Sequence, residues 1–215
     1  MYFNKKDLIK LDRIKRLNIV NSLSGIKSAN LIGTISSKGN TNLSIVSSVI
    51  HISSNPALIG FLMRPKHKVR RHTLDNIIES LKFTINQVST EIIKNAHYTS
   101  AKFDSSESEF LHCHLNEEFL HGHNAPFVKE SILKIGMSLE EIVDMNSTNC
   151  KLIIGSIEHL FLPEKHMNSE GYLDLMEMNT SGIGGLNTYY SLNEIGKFPY
   201  ARVEDAKILF PDINK

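Results

Sequence analysis

The sequence predicts a mainly β protein, folded as one antiparallel barrel with peripheral helices. Three observations point there. Short runs rich in Ile, Val, Thr and Ser follow one another closely, turn formers such as "SKGN" and "SSNP" separate them, and little helical periodicity lies between. At 215 residues, with 41% apolar and 22% charged residues, a single domain can bury a full core. No internal repeat or low-complexity linker divides the chain, so residues 1–215 read as one domain with an N-terminal helix and a C-terminal extension.

Taken in order, Asn4 is placed to cap a helix reaching about Leu17, with Leu8, Leu11, Ile14 and Leu17 on one face. From Ser28 the pattern turns to strands. "SANLIGTIS" and "TNLSIVSSVIHIS" flank the hairpin signal "SKGN", and "ALIGFLMR" follows the breaker "SSNP" as a third strand. Thr73 reads as the N-cap of the helix "LDNIIESLK", which leads into the strand "FTINQV". Ser89 reads as the cap of a short helix, "TEIIKNAH", and Thr99–Asn124 has no clear period. "FVKESILKIGMSLEEIVDM" and "CKLIIGSIEHLFL" read as two long strands. After Pro163 the chain is loop-like, with weak helical signals at "YLDLMEM" and "NTYYSLNEI".

Composition narrows the function classes. A formal net charge of +1 argues against a polyanion partner, which needs a broad positive face. The two cysteines, Cys113 and Cys150, form no metal-type spacing and no disulfide framework, as suits a reducing cytoplasm. No apolar stretch is long enough to span a bilayer, and charges interrupt any signal core in the first twenty residues. The expectation is a cytoplasmic protein without nucleic-acid or membrane partners.

Among local motifs, "MRPKHKVRRHT", from Met63 to Thr73, places seven basic or imidazole side chains in eleven residues, just before a helix start. A helix N-terminus offers unpaired N–H groups and a partial positive charge, and a guanidinium can grip two phosphate oxygens. The stretch reads either as an anion socket built from Arg64, Arg70, Arg71, His72 and Thr73 or as a solvated basic loop that Asp75 and Glu79 help to neutralise. It has no interleaved aromatic residues for stacking bases. "TNLSIVSSV" sets Asn42, Ser44, Ser47 and Ser48 in a β-rich run, where short polar side chains would let a flat ring approach the backbone. "HCHLNEEFLHGH" holds His112, Cys113, His114, His121 and His123; two pairs of imidazoles two apart could bind zinc or copper, but the spacing matches no zinc motif, and the histidines are expected at the surface without a metal. "SGIGGLN" lacks the strand and helix that a dinucleotide loop requires and reads as a turn. No "GxSxG" elbow or pair of catalytic carboxylates stands out.

The order "SANLIGTIS", "TNLSIVSSVIHISSNPALIGFLMRP", "RRHTLDNIIESLKFTINQV" resembles the flavin reductase-like family with an FMN-binding split barrel. It is most similar to a bacterial branch carrying "RP", "RHT" and "NI", then a strand ending in "TIN". "AHYTSAKF", "SEF", "APFVKES" and "LIIGSIEHLFLPE" extend the likeness, which runs from about Asn18 to Pro163 with a weaker tail in "GLNTYYSL". The resemblance implies a six-stranded split barrel that binds FMN, as a homodimer with flavin sites near the subunit interface. It implies that Asn42, Ser44, Ser47 and Ser48 line the ring and ribityl chain, and that Arg71, His72 and Thr73 hold the phosphate. Arg64, Asn86, Ser100 and Ala101 match further flavin-lining positions. The implied activity is a reductase taking a hydride from NADH or NADPH and passing it through FMN to free flavin or a small acceptor, or else a non-catalytic FMN-binding electron carrier. The histidine-rich loop departs from the family pattern and leaves the substrate side undefined.

Overall fold

The computed structural model describes residues 1–65 and 72–211. The helices are α1 (Lys5–Lys10), α2 (Arg13–Ser22), α3 (His72–Ser80), α4 (Ile93–Tyr98), α5 (Glu109–His112) and α6 (Val203–Leu209). The strands are β1 (Lys27–Ser28), β2 (Asn30–Ile35), β3 (Thr41–Val46), β4 (Ile50–Ser54), β5 (Ala57–Met63), β6 (Lys82–Gln87), β7 (Glu117–Glu118), β8 (Phe127–Val128), β9 (Lys134–Met145), β10 (Cys150–Phe161), β11 (Ser181–Gly184) and β12 (Thr188–Ser191).

Asn4 does cap α1, through a capping box in which Asn4 and Asp7 each accept the other's backbone N–H. The single predicted N-terminal helix is two, however. Asp12 accepts from the N–H groups of Ile14 and Lys15, starting α2 afresh at Arg13.

The main sheet has seven antiparallel strands in the order β3-β2-β6-β9-β10-β5-β4. Its edges, β3 and β4, are consecutive in sequence, with only Ser47–Val49 between them. A flat sheet of this width would separate its edges by about 29 Å, six intervals of about 4.8 Å. The four steps from Val46 to Ile50 reach at most about 14 Å. The sheet must therefore curl until its edges meet, which makes it a barrel split along the β3/β4 seam. Ser48 spans the seam: its Oγ donates to the Leu62 carbonyl at 3.2 Å and accepts from the Leu62 N–H at 3.1 Å. The run "TNLSIVSSVIHIS", expected as one strand, is thus two, and the main sheet counts seven strands where the resemblance implied six.

Both faces of β2 are buried, and its neighbours alternate between two cores. Ile32, Phe61, Met63, Phe83, Ile85, Ile135, Met137 and Ile153 fill the barrel interior, with Leu74 and Ile77 of α3 packed against them. Leu31, Leu43, Val88, Ile92, Ala96, Phe110, Leu115 and Val128 form a second core on the outer side of β2 and β3. Gly33 is required where the chain crosses β2, because a Cβ there would stand 2.2 Å from the Pro126 carbonyl oxygen.

Other expectations shift at their ends. The strand predicted from Phe127 begins at Lys134, after the short β8 and a turn. Ser89 occupies the N-cap position of the turn Thr90–Ile92 without a side-chain capping bond. "NTYYSLNEI" is not helical: β12 pairs antiparallel with β11, which in turn pairs with β1. "SGIGGLN" is correspondingly half strand, with Gly185 turning in the left-handed region at φ 62°. Among the described residues no helix is long and apolar enough to cross a membrane, and the two cysteines are free.

Candidate functional site

β3 is an edge strand, and its geometry decides what the neighbouring polar residues can do. Even-numbered residues face β2, with Ser44 opposite Ile32 and Asn42 opposite Thr34. The N–H groups of Leu43 and Ile45 point the other way and need partners. Two side chains supply them: Glu109 Oε2 accepts from Leu43 at 2.9 Å and Thr99 Oγ1 accepts from Ile45 at 3.0 Å. Thr41 and Ser108 join hydroxyls at 2.8 Å. The segment from Thr99 to Glu109, which had no readable period, is therefore laid along the open edge of the barrel.

Glu109 escaped sequence reading because nothing local marks it; only the fold brings it to β3. It is buried, and desolvation pushes its carboxyl above the usual glutamate range despite the N–H bond from Leu43. Ser100 and Ala101 follow Thr99 and are exposed beside this edge. Ser44 and Ser47 are half-buried and make no side-chain hydrogen bond to a described residue.

The start of α3 meets the other face of β3. Asn42 is buried and its amide donates to Thr73 Oγ1 at 3.0 Å and Thr34 Oγ1 at 3.3 Å, while the Asn76 amide reaches Thr34 Oγ1 at 3.1 Å. This buried network pins the first helical turn to β2 and β3. Thr73 is the second residue of the helix and not its N-cap, since α3 begins at His72. Because Asn42 donates into the Thr73 oxygen, the Thr73 hydroxyl keeps its own proton to give elsewhere. His72 is half-buried at the helix start. Arg64 is exposed just past the end of β5, two residues beyond the Leu62 that Ser48 holds. Arg71 and the flanking Lys66, His67, Lys68 and Arg70 lie outside the described residues.

Asn86 stands apart. It is completely buried, donating to Leu31 O at 3.2 Å and Thr84 Oγ1 at 2.8 Å while accepting from Val128 N at 3.0 Å. Both ends of its amide are committed to joining β2, β6 and β8. The structure thus gathers Asn42, Ser44, Ser47, Ser48, Arg64, His72, Thr73, Ser100 and Ala101 around β3 and the seam, and leaves Asn86 inside. A depression of about 610 Å³ lined by Ser131, Lys134, Phe161, Lys165 and His166 shares none of these residues. Chemistry is better sought at the β3 edge, where polar groups from four segments converge.

The sequence model of the flavin reductase like domain matches residues 24–178. The chain belongs to that family. Among solved structures, a candidate flavin reductase with a split-barrel domain from Shewanella frigidimarina NCIMB 400 is 43% identical, with a TM-score of 0.90, over 94% of this chain and 100% of that one. Nitrilotriacetate monooxygenase component B from Bacillus cereus shares the fold at 18% identity and a TM-score of 0.81, over 92% and 98% of the two chains. An FMN-binding protein from Thermus thermophilus shares it at 15% identity and a TM-score of 0.68, over 83% and 93%. No curated protein matches.

Proposed function

We propose that this flavin reductase-like protein binds FMN along β3 and works as an oxidoreductase, taking a hydride from NADH or NADPH for delivery to free flavin or a small acceptor. The observation that carries the reading is the Asn42–Thr73 bond. It fixes the first turn of a nine-residue helix, whose N–H groups have no carbonyl to bond within the helix, beside Ser44 of the edge strand and Ser47 just past its end, neither bonded through its side chain to a described residue.

The residues present fit such a ligand. Thr73 gives a hydroxyl proton, His72 a ring N–H and Arg64 a charge, where a phosphate would rest. Arg71 belongs to the same proposed socket. Ser44 and Ser47 offer short polar side chains over which a flat ring can lie close to the backbone. Asn42 acts as a positioning residue, holding Thr73 and not the ligand. Bound FMN supplies an acceptor for two electrons at once, which no side chain of this protein can. The protein's tasks are then to hold the ring, cover one face and leave the other open to donor and acceptor in turn.

A homodimer belongs to the same proposal. The C-terminal arm carries Ile195, Phe198, Tyr200 and Phe210 at 79–96% exposure, far more apolar surface than a short segment leaves in water without a partner. A cytoplasmic location accords with the two free thiols.

The deciding experiment mixes FMN-loaded protein anaerobically with NADH or NADPH and follows the loss of oxidised-flavin absorbance. Rapid bleaching followed by reoxidation with added free flavin is expected. Tight FMN binding without bleaching by either nicotinamide would leave an electron carrier, and failure to bind FMN at high micromolar concentration would end the proposal.

A further inference from the structure

Three distant parts of the chain converge on the outer face of the barrel at β10, which β2, β6 and β9 separate from β3 in the sheet. Lys82 comes from β6, His123 from the loop before β8, and Glu158 and His159 from β10. Contrary to the surface position expected of the loop histidines, His123 is only 4% exposed, although His112, His114 and His121 do face solvent. His123 Nε2 lies 3.1 Å from the Phe83 carbonyl oxygen. A carbonyl can only accept, so in the neutral ring Nε2 carries the proton and Nδ1 keeps its lone pair. What Nδ1 faces, at 3.5 Å, is Glu158 Oε2. His123 is buried while Glu158 opens to solvent, and two acceptors held face to face repel unless a proton or a metal cation stands between them.

The backbone is shaped for this meeting. Successive residues of a strand point to opposite faces, so Glu158 and His159 ought not to share a site. A β-bulge makes them share it: Ile157 pairs with Met137 and His159 with Gly136, leaving Glu158 as the extra residue. Opposite His159 stands Gly136, where a Cβ would press at 3.2 Å on His159 Cβ and Cδ2 and on Phe127 Cζ. A side chain there would crowd the imidazole. The ligating atoms of His123, Glu158 and His159 all lie within 4.8 Å of one another.

We propose that His123 Nδ1, Glu158 Oε2 and a ring nitrogen of His159 form a binding site for one divalent transition-metal ion of the zinc type. Tetrahedral bonds of about 2.0–2.1 Å set neighbouring donor atoms about 3.3–3.4 Å apart. The His123–Glu158 separation already matches, and the His159 ring has at most about 1.5 Å to move. Two of the ligands have the outer partners that metal ligands usually have. Phe83 O orients His123, and Lys82 holds the other Glu158 oxygen in an ion pair while donating to Ser138 Oγ at 3.3 Å. Two imidazoles and one carboxylate favour such an ion over magnesium or calcium, which take oxygen sets. The fourth position falls to water or to His121, whose ring centre is 6.3 Å from that of His159.

The test uses tag-free protein, stripped with a chelator and titrated with Zn²⁺ by calorimetry, and with Co²⁺, whose visible absorption reports a low-coordinate nitrogen and oxygen site. One ion per chain, bound in the micromolar range or tighter, is expected. His159→Ala and Glu158→Gln should each weaken Zn²⁺ by at least about 100-fold, beyond the loss typical of outer partners. His112→Ala, at the exposed end of α5, and His114→Ala, two residues on, should leave it unchanged. Thermal melting in metal-free buffer verifies that each variant is folded. No stoichiometric uptake by the wild type, or uptake that survives both His159→Ala and Glu158→Gln, would overturn the assignment.

Discussion

Replacing Thr73 by Val removes one hydroxyl with almost no change of volume, and the structure says what that should cost. Thr73 is 6% exposed, and its Oγ1 accepts from the Asn42 amide at 3.0 Å. In the variant that amide N–H loses one of two acceptors but keeps Thr34 Oγ1 at 3.3 Å. The stability loss should therefore fall near the low end for an unsatisfied buried donor, about 1–2 kcal/mol. For a chain of this size that corresponds to a fall in Tm of about 2–8 °C. Ligand affinity carries a separate signal. A hydroxyl donating to a phosphate is a charge-assisted bond worth about 1.5–3 kcal/mol, or about 10- to 150-fold in Kd. Riboflavin has the same ring and ribityl chain but no phosphate, so its affinity should change by less than about threefold if only the phosphate contact is lost. Fluorescence quenching of each flavin, at a temperature where both proteins are fully folded, measures the ratio. Equal losses for FMN and riboflavin would refute the placement of the phosphate at α3 and leave Thr73 a purely structural residue.

Gly33→Ala should destabilise the fold by roughly 3 kcal/mol or more, since its Cβ would stand 2.2 Å from the Pro126 carbonyl and 2.5 Å from Thr84 Oγ1. Denaturant unfolding checks it, and a change below 1 kcal/mol would contradict the packing described. Glu109→Gln should alter the pH dependence of stability. Burial raises the Glu109 carboxyl, so the folded state holds that proton more firmly than the unfolded chain; the gain is complete below the ordinary value of 4.5 and is lost as pH rises through the folded value. The wild type should thus lose stability relative to the glutamine variant as pH rises from the ordinary value of 4.5 through the folded one, and the opposite slope in paired melting curves would refute the assignment. Ending the chain after Ser191 removes the exposed apolar arm and should shift light-scattering mass from dimer to monomer; an unchanged mass would place the interface elsewhere.

Local signals in this chain were legible where chemistry is local. Asn4 and the "SKGN" turn could be read because a cap or a two-stranded hairpin is decided within a few residues. The pairing of "ALIGFLMR" with "CKLIIGSIEHLFL" could not, since β5 and β10 are about ninety residues apart and many apolar runs would pair equally well. The seam at Ser47–Val49 was hidden for a similar reason. Ser47 and Ser48 sit inside a β-rich run with no Gly or Pro to mark a break, and only the meeting of two sheet edges interrupts the strand there. "NTYYSLNEI" misled because a weak period near 3.6 was outweighed by the hydrogen bonds that β11 offers to β12.

The same division runs through the sites. Residue types and their order suffice to read a β-rich barrel, a basic helix start and the family to which the chain belongs, because strand composition, turn chemistry and ordered motifs are written along one dimension. Tertiary structure alone decided that Asn42 serves Thr73, that Asn86 is sealed within the core, and that Glu109 covers the edge of β3. It alone brought His123 to Glu158 and His159, through a bulge that turns two adjacent residues to one face. Contacts between residues tens of positions apart depend on how strands pair and curl, and the free energy that selects one pairing is spread over both cores rather than held in any single segment.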